Sequence, residues 1–283
     1  MIIHSIRSLD DSRIDHYRNL KDRELARGGR FIAEGEHVVR RLLASEYPTE
    51  SVLLAHRKLD RMAQILPKDQ LVYVVEDRLI HEIVGFKFHC GIIACGRRST
   101  PKTLDQLLPP AEATSRSPLT IVICPELINH ENVGSLIRIA AGFGADLMLL
   151  GGRSCDPFWR RSVRVSMGAV FHLPILRCDD LGADLVRLKT EWGVQLAGAV
   201  LDTRAERLNR ATRPDRLALM FGSEAQGLPD GYVRHCDRRI TIPMRLGTDS
   251  LNVAVSAAVF LYHFTEGMPI RSVQPSQDHD SPA

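Results

Sequence analysis

Residues 240–264 read ITIPMRLGTDSLNVAVSAAVFLYHF, and they limit the fold more than any other stretch. After Asn252 the chain is apolar on nearly every side: Val253, Ala254, Val255, Ala257, Ala258, Val259, Phe260 and Leu261. A helix with so little polar face has to be covered all round, by a core or by a second subunit. Ile240–Met244 alternates and includes Pro243, which predicts a strand leaving a sheet. Arg245–Asp249 is a polar loop in which Gly247 is free to take positive φ. Ser250 is the expected N-cap of a helix over Asn252–Phe264. A strand end, a tight loop and a helix N-terminus therefore meet inside the protein. In an open α/β sheet, ligands bind at such carboxyl ends of strands.

Two further segments have the same strand, polar loop and helix form, residues 119–150 and 217–236. Together the three read N-x-G-x-x-x-R (Asn132, Gly134, Arg138), F-G-S-E-x-x-G-L (Phe221 to Leu228) and I-P-M-x-x-G-x-x-S-L-N-V (Ile242 to Val253). In order and loop context they resemble the three signature motifs of the SpoU (TrmH-type) RNA 2′-O-ribose methyltransferases of the SPOUT superfamily. The glycine of the third motif stands one place later than in many relatives, although the spacing from Met244 to Ser250 is kept.

The elements before residue 98 alternate between helix and strand, as a small α/β layered domain would. Expected strands are Ser51–Ala55, Leu71–Val75 and Gly91–Gly96; expected helices are Glu36–Ser45, Lys58–Leu66 and Asp77–Val84. Asp11–Ala26 has a helical pattern with Ile14, Tyr17, Leu20 and Leu25 near one face. Ser99–Pro118 is rich in Pro, Ser and Thr and reads as a linker with one short turn. In the second half, Leu119–Cys124, Asp146–Leu150 and Val194–Val200 have the apolar runs of buried parallel strands, and a helix is expected over Asn132–Ala141. Thr203–Arg216 is a charged connection without a recognisable motif, and Gln274–Ala283 is expected to be disordered.

The resemblance implies an α/β fold: a SPOUT-type catalytic domain (119–266) with a C-terminal trefoil knot, preceded by a small L30e-like α/β domain (1–98) for RNA substrate, a linker (99–118) and a tail (267–283). It implies methyl transfer from S-adenosyl-L-methionine to a ribose 2′-OH in structured RNA, ribosomal or transfer, by a homodimer joined through the C-terminal domain, with no metal. On the matching positions it places catalysis at Arg138, Asn132, Glu224, Ser250 and Asn252, and cofactor binding at Gly222, Ile242, Leu251, Gly227 and Met244. Each position also has a plainer role. Asn132 and Ser250 suit helix caps, Gly222 a turn, Ile242 and Leu251 core packing, and Arg138 an ion pair with Glu224. A guanidinium has a pKa above about 12, so Arg138 is better suited to electrostatic help than to taking a proton as a base.

Arg23, Arg30, Arg160, Arg161 and Arg164 are the arginines expected to face RNA, since guanidinium binds phosphate and stacks on bases; solvated helix faces are the plainer alternative. A net charge of +3 permits nucleic acid binding without requiring it. Six scattered cysteines without CxxC spacing read as reduced core residues in a cytoplasmic protein, and no apolar run reaches the roughly 20 residues of a membrane span. Two rival functions stay open on the sequence: a non-catalytic RNA-binding protein that keeps the fold, and an RNA methyltransferase acting on a base.

Overall fold

A computed structural model describes residues 1–18, 20–110, 117–223, 226–246 and 248–268. Glu224, Gly247, most of the linker's second half and the expected disordered tail over 274–283 lie outside the described residues.

The first part of the chain runs β1 (Ile2–Ser5), α1 (Asp22–Arg27), β2 (Arg30–Glu34), α2 (Glu36–Leu43), β3 (Thr49–Ala55), α3 (Leu59–Ala63), β4 (Leu71–Val75), α4 (Asp77–Val84) and β5 (Ile92–Arg97). Its sheet has the order β1-β4-β3-β5-β2. β1, β4 and β3 run parallel, whereas β5 is antiparallel to both β3 and β2. A short helix, α5 (Leu104–Leu107), follows; it carries a capping box from Thr103 and Gln106 and buries Leu104. This is the one turn expected in the linker.

The second part runs β6 (Leu119–Cys124), α6 (His130–Gly142), β7 (Leu147–Gly151), α7 (Arg160–Val165), β8 (Ile175–Cys178), α8 (Leu181–Thr190), β9 (Gln195–Ala199), β10 (Glu206–Arg207), β11 (Arg216–Met220), α9 (Asp230–Val233), β12 (Arg238–Thr241) and α10 (Val253–Thr265). Its seven strands have the order β10-β12-β9-β11-β6-β7-β8, and every pairing is parallel. The central strands β6, β7 and β11 are buried at every position. That is why they read as unbroken apolar runs rather than alternating ones. The expected strand at Ile240 begins earlier and stops at Thr241, before the Ile242-Pro243 step; proline has no N–H for a ladder.

Three expectations about helix starts and length need correction. Asn132 does not cap α6; Asn129 does, accepting from the backbone N–H of Glu131 and of Asn132 at 2.8 and 3.3 Å. Ser250 does not cap the last helix; Asn252 does, through Oδ1 to the N–H of Ala254 at 2.9 Å. In both cases the true cap lies where the backbone is still extended, with ψ of 117° at Asn129 and 141° at Asn252. The run Asp11–Ala26 is not one helix. It divides into a short 3-10 turn (Ser12–Tyr17) and α1, with Leu20 between them at φ 30°. The division lets Ile14, Tyr17, Leu20 and Leu25 all reach the core, where the Tyr17 hydroxyl meets Ser51 Oγ at 2.7 Å.

The sequence did not disclose β1, β2, β8, α8 or β10. β10 and β8 are edge strands, and β8 is fully buried at only one of its four positions, so neither carries the apolar signal of the centre.

The two sheets share one continuous core. Phe31 of β2 lies 5.1 Å from Phe158 and 5.5 Å from Phe171, ring centre to ring centre, and Tyr47 packs on both. α10 packs on α6 and buries Val253, Ala254, Ala257, Phe260, Leu261 and Phe264. The opposite side of α10 exposes Val255, Val259 and Tyr262 by 49, 40 and 57%. Among the described residues the helix is therefore buried on one side only. Five of the six cysteines are buried or partly buried and none forms a disulfide; Cys90 is exposed. Among the described residues no helix is long and apolar enough to cross a membrane.

Candidate active site

A cavity of about 470 Å³ opens at the carboxyl ends of β9, β11 and β12. This lies within the range of roughly 300–1,000 Å³ usual for small-molecule sites. Two loops wall it. The loop after β11 contributes Phe221, Gly222, Ser223, Gln226, Gly227 and Leu228; the segment after β12 contributes Ile242, Met244, Ser250 and Leu251. All five residues expected at the cofactor, Gly222, Gly227, Ile242, Met244 and Leu251, line this one cavity.

The loop after β11 closes on itself. The N–H of Ser223 donates to Gly227 O at 3.0 Å, and the N–H of Gly227 donates back to Ser223 O at 2.9 Å. Gly227 sits at φ +65°, which a side chain would resist. Gly222 is glycine for another reason. A Cβ there would stand 2.0 Å from the carbonyl carbon of Gly227. The first glycine of the second motif therefore admits its own loop's backbone, a demand the turn reading of the sequence did not contain.

The first motif reaches the site through one side-chain bond. Asn252 Nδ2 donates to Asn132 Oδ1 at 3.1 Å across 120 residues of chain. Asn252 thus fixes both the start of α10 and the first turn of α6. Gly134 lets α6 lie against α7, since a Cβ would meet Ser162 O at 2.7 Å and Val165 Cβ at 2.8 Å.

Arg138 stands apart. It is exposed, lines no part of the cavity and has no ion-pair partner among the described residues. It is six residues beyond Asn132, about 9 Å further along the helix axis and on a different face. The expected pair with Glu224 involves a residue outside those described.

The basic residues expected to meet RNA are mostly engaged within the chain. Arg30 Nε lies 2.6 Å from Glu50 Oε2. Arg160 and Arg164 both face Glu34, a carboxylate only 5% exposed, at 3.4 and 3.5 Å. The guanidinium of Arg160 also sits 4.5 Å above the Phe86 ring, and Arg161 pairs with Glu131. α7 is therefore neither a free basic helix nor simply a solvated one: Arg160 and Arg164 tie it to β2 of the five-stranded sheet, and Arg161 ties it to α6. Arg23 is exposed and has no ion-pair partner among the described residues.

The charged side chains on the cavity wall are ones the motifs did not flag: Asp202, Asp230 and Arg239. The Arg204 backbone N–H and then its side chain hold the Asp202 carboxyl below its usual range, so it is ionised at neutral pH. Their only sequence signal was position, just past a predicted strand or beside one. Among the described residues no group of three His, Cys, Asp or Glu side chains could hold a metal ion.

An all-parallel sheet with a glycine-walled cavity at its strand ends defines an α/β enzyme that takes a small ligand there. The family described as the SpoU rRNA methylase family matches residues 119–262. An uncharacterized tRNA/rRNA methyltransferase of Mycobacterium bovis is 34% identical over 270 residues, covering 90% of this chain and 89% of that protein. The chain belongs to the SpoU rRNA methylase family and is an RNA methyltransferase. The 23S rRNA (guanosine(2553)-2′-O)-methyltransferase RlmP of Bacillus subtilis is 24% identical, covering 91% of this chain and 98% of its own. The fold matches that of an rRNA methyltransferase from Sinorhizobium meliloti solved with AdoMet bound, with TM-score 0.77 and 22% identity over 95% of this chain and 99% of that one.

Proposed function

We propose that the protein transfers a methyl group from S-adenosylmethionine to a ribose 2′-OH of ribosomal or transfer RNA. The observation that carries this is the convergence of all three motifs: two wall the cavity and the first is tied to them by the Asn132–Asn252 bond. RlmP, a 2′-O-methyltransferase by name, supports the ribose as acceptor.

The cavity fits the methyl donor. Phe221, Ile242 and Leu251 offer apolar surface to an adenine, and the Gly222 and Gly227 backbones let a nucleoside lie close to main-chain donors and acceptors. Bound there, S-adenosylmethionine supplies an electrophilic methyl group. The chain's own task is to bring a hydroxyl into line with it and to ease that hydroxyl's proton. Asn132 and Asn252, bonded to each other where Asn252 stands between the lining residues Leu251 and Val253, position the acceptor, with Ser250 on the wall. Arg138 stays charged and acts electrostatically on the RNA, through a phosphate or the developing alkoxide. Glu224 stands two residues after Gly222 in the second motif.

The protein acts as a homodimer through its C-terminal part. The apolar stripe Val255, Val259 and Tyr262 on α10 supports this reading. It also gives Arg138 a route to a site, because α6, which carries it, packs on the helix that bears the stripe. We read the segment after β12, which runs beside the loop after β11 before α10 packs on α6, as the threaded part of a trefoil knot. The five-stranded sheet is read as an L30e-like domain that engages RNA in the cytoplasm, with Arg23 free to contact it.

The test is methylation of total RNA by the purified protein with labelled S-adenosylmethionine, beside Arg138→Ala. Label recovered as 2′-O-methylribose and lost in the variant is expected. Label on a base would replace the ribose reading with base methylation. Bound donor without any label would leave an RNA-binding protein that keeps the fold.

A further inference from the structure

We propose that Asp202, Asp230 and Arg239 form the subsite for the amino-acid end of the methyl donor, with Arg239 taking the carboxylate and the two aspartates facing its positive charges. This rests on the methyltransferase reading of the cavity and adds to it the residues that recognise the part of the donor furthest from the adenine.

The cavity is divided by character. One side is apolar or main-chain: Phe221, Phe260, Ile242 and the glycine loop. The other is formed where β9 and β12 lie side by side, with Arg239 opposite Gly198 in the parallel ladder. Asp202 follows the end of β9, and Arg239 is close enough to help hold its carboxyl low. Asp230 opens α9, which follows the glycine loop. Among the described lining residues these three are the only formally charged ones.

Their charges mirror the donor's. S-adenosylmethionine carries a sulfonium, an ammonium and a carboxylate, a net charge of +1. The wall itself carries two carboxylates and one guanidinium, one group of opposite sign for each, and behind it Arg204 Nε lies 3.3 Å from Asp202 Oδ1 on the exposed side of the turn. Apolar walls nearby strengthen such pairings relative to open water. Once the methyl has left, the product has lost one positive charge, so the aspartates favour the donor over the product. None of the three belongs to a motif. Arg239 has no hydrogen bond or ion pair among the described residues that the fold would lose with it. Asp202 accepts the N–H of Arg204 at 2.9 Å, and an asparagine oxygen there would still accept it. Asp202→Asn therefore removes the charge and keeps the turn.

The experiment is calorimetric titration of the full chain, and of Arg239→Gln and Asp202→Asn, with three ligands: S-adenosylmethionine, S-adenosylhomocysteine and 5′-methylthioadenosine, which lacks the amino-acid end. Arg239→Gln is expected to weaken the first two by tenfold or more and to leave the third within twofold. Asp202→Asn is expected to weaken S-adenosylmethionine while sparing 5′-methylthioadenosine. Equal weakening of all three by Arg239→Gln, or none, would overturn the subsite while leaving the cofactor cavity in place. Failure of the unsubstituted protein to bind any of the three would overturn the cavity's assignment and the subsite with it.

Discussion

Gly222→Ala is the most direct test of how the cavity is built. The added methyl would stand 2.0 Å from the carbonyl carbon of Gly227 and 2.1 Å from both Gly227 O and Leu228 N. Ordinary contact begins near 3.4 Å, so the facing strand of the loop must retreat by about 1.4 Å, the difference of 3.4 and 2.0. What it meets is main chain, so no rotamer change absorbs the clash. The two hydrogen bonds between Ser223 and Gly227 make the far side of the loop move as a unit. Gln226, Gly227 and Leu228, all on the cavity wall, move with it. Misplacing a binding group by about 1 Å costs on the order of a hundredfold in a positioned reaction. We expect S-adenosylmethionine affinity to fall by at least tenfold in calorimetry and methylation to fall further. The core strands do not pass through the loop, and overpacking of this kind costs about 1–3 kcal/mol, so the variant should still unfold cooperatively. Gly231→Ala is the control, because a Cβ there meets nothing within 4 Å. A Gly222→Ala protein that binds the donor within twofold of the parent would refute the claim that this loop shapes the wall.

Two further outcomes follow from the packing and the ion pairs. Gly134→Ala should push α6 from α7, because its Cβ would lie 2.7 Å from Ser162 O, and should lower the unfolding free energy by about 1–3 kcal/mol in urea titration; an unchanged midpoint would show that α7 yields freely. Burial raises the Glu50 carboxyl, but the guanidiniums of Arg30 and Arg97 outweigh it and leave it below its ordinary 4.5. A depressed carboxyl stabilises the fold above its unfolded value, and that contribution is lost as pH falls through the folded one. Glu50→Gln should therefore melt earlier than the parent at neutral pH, with the gap closing below the carboxylate range; a gap that stays constant with pH would refute the ion pair's role.

Much of the site could be read from the residues. Asn132, Gly134, Phe221–Leu228 and Ile242–Val253 are local patterns, each a strand end followed by a loop and a helix start, and local patterns are what a sequence displays. The second and third patterns bring Gly222, Gly227, Ile242, Met244 and Leu251 to one cavity, whereas the first lies outside it and is joined only by the Asn132–Asn252 bond. What failed was finer. Asn129 and Asn252, not Asn132 and Ser250, cap the helices, because several polar residues stand near each helix start and only the backbone angle selects among them. Asp202, Asp230 and Arg239 were passed over because charged residues beside strands usually face water, and nothing local says which of them turn toward a cavity.

The sequence alone determined the α/β alternation, the buried central strands and the family motifs, since burial on both faces of a parallel sheet and tight glycine turns each demand particular residues in order. Only the tertiary structure decided where the arginines went. Arg160 and Arg164 look the same in sequence whether they meet a phosphate or a carboxylate, and it is Glu34, about 130 residues earlier and buried against them, that engages them. The same holds for α10: its apolar circumference was legible, but the described residues cover only one side and leave Val255, Val259 and Tyr262 exposed. Contacts between residues far apart in sequence depend on the shape the whole chain takes, and composition or periodicity carries no record of them.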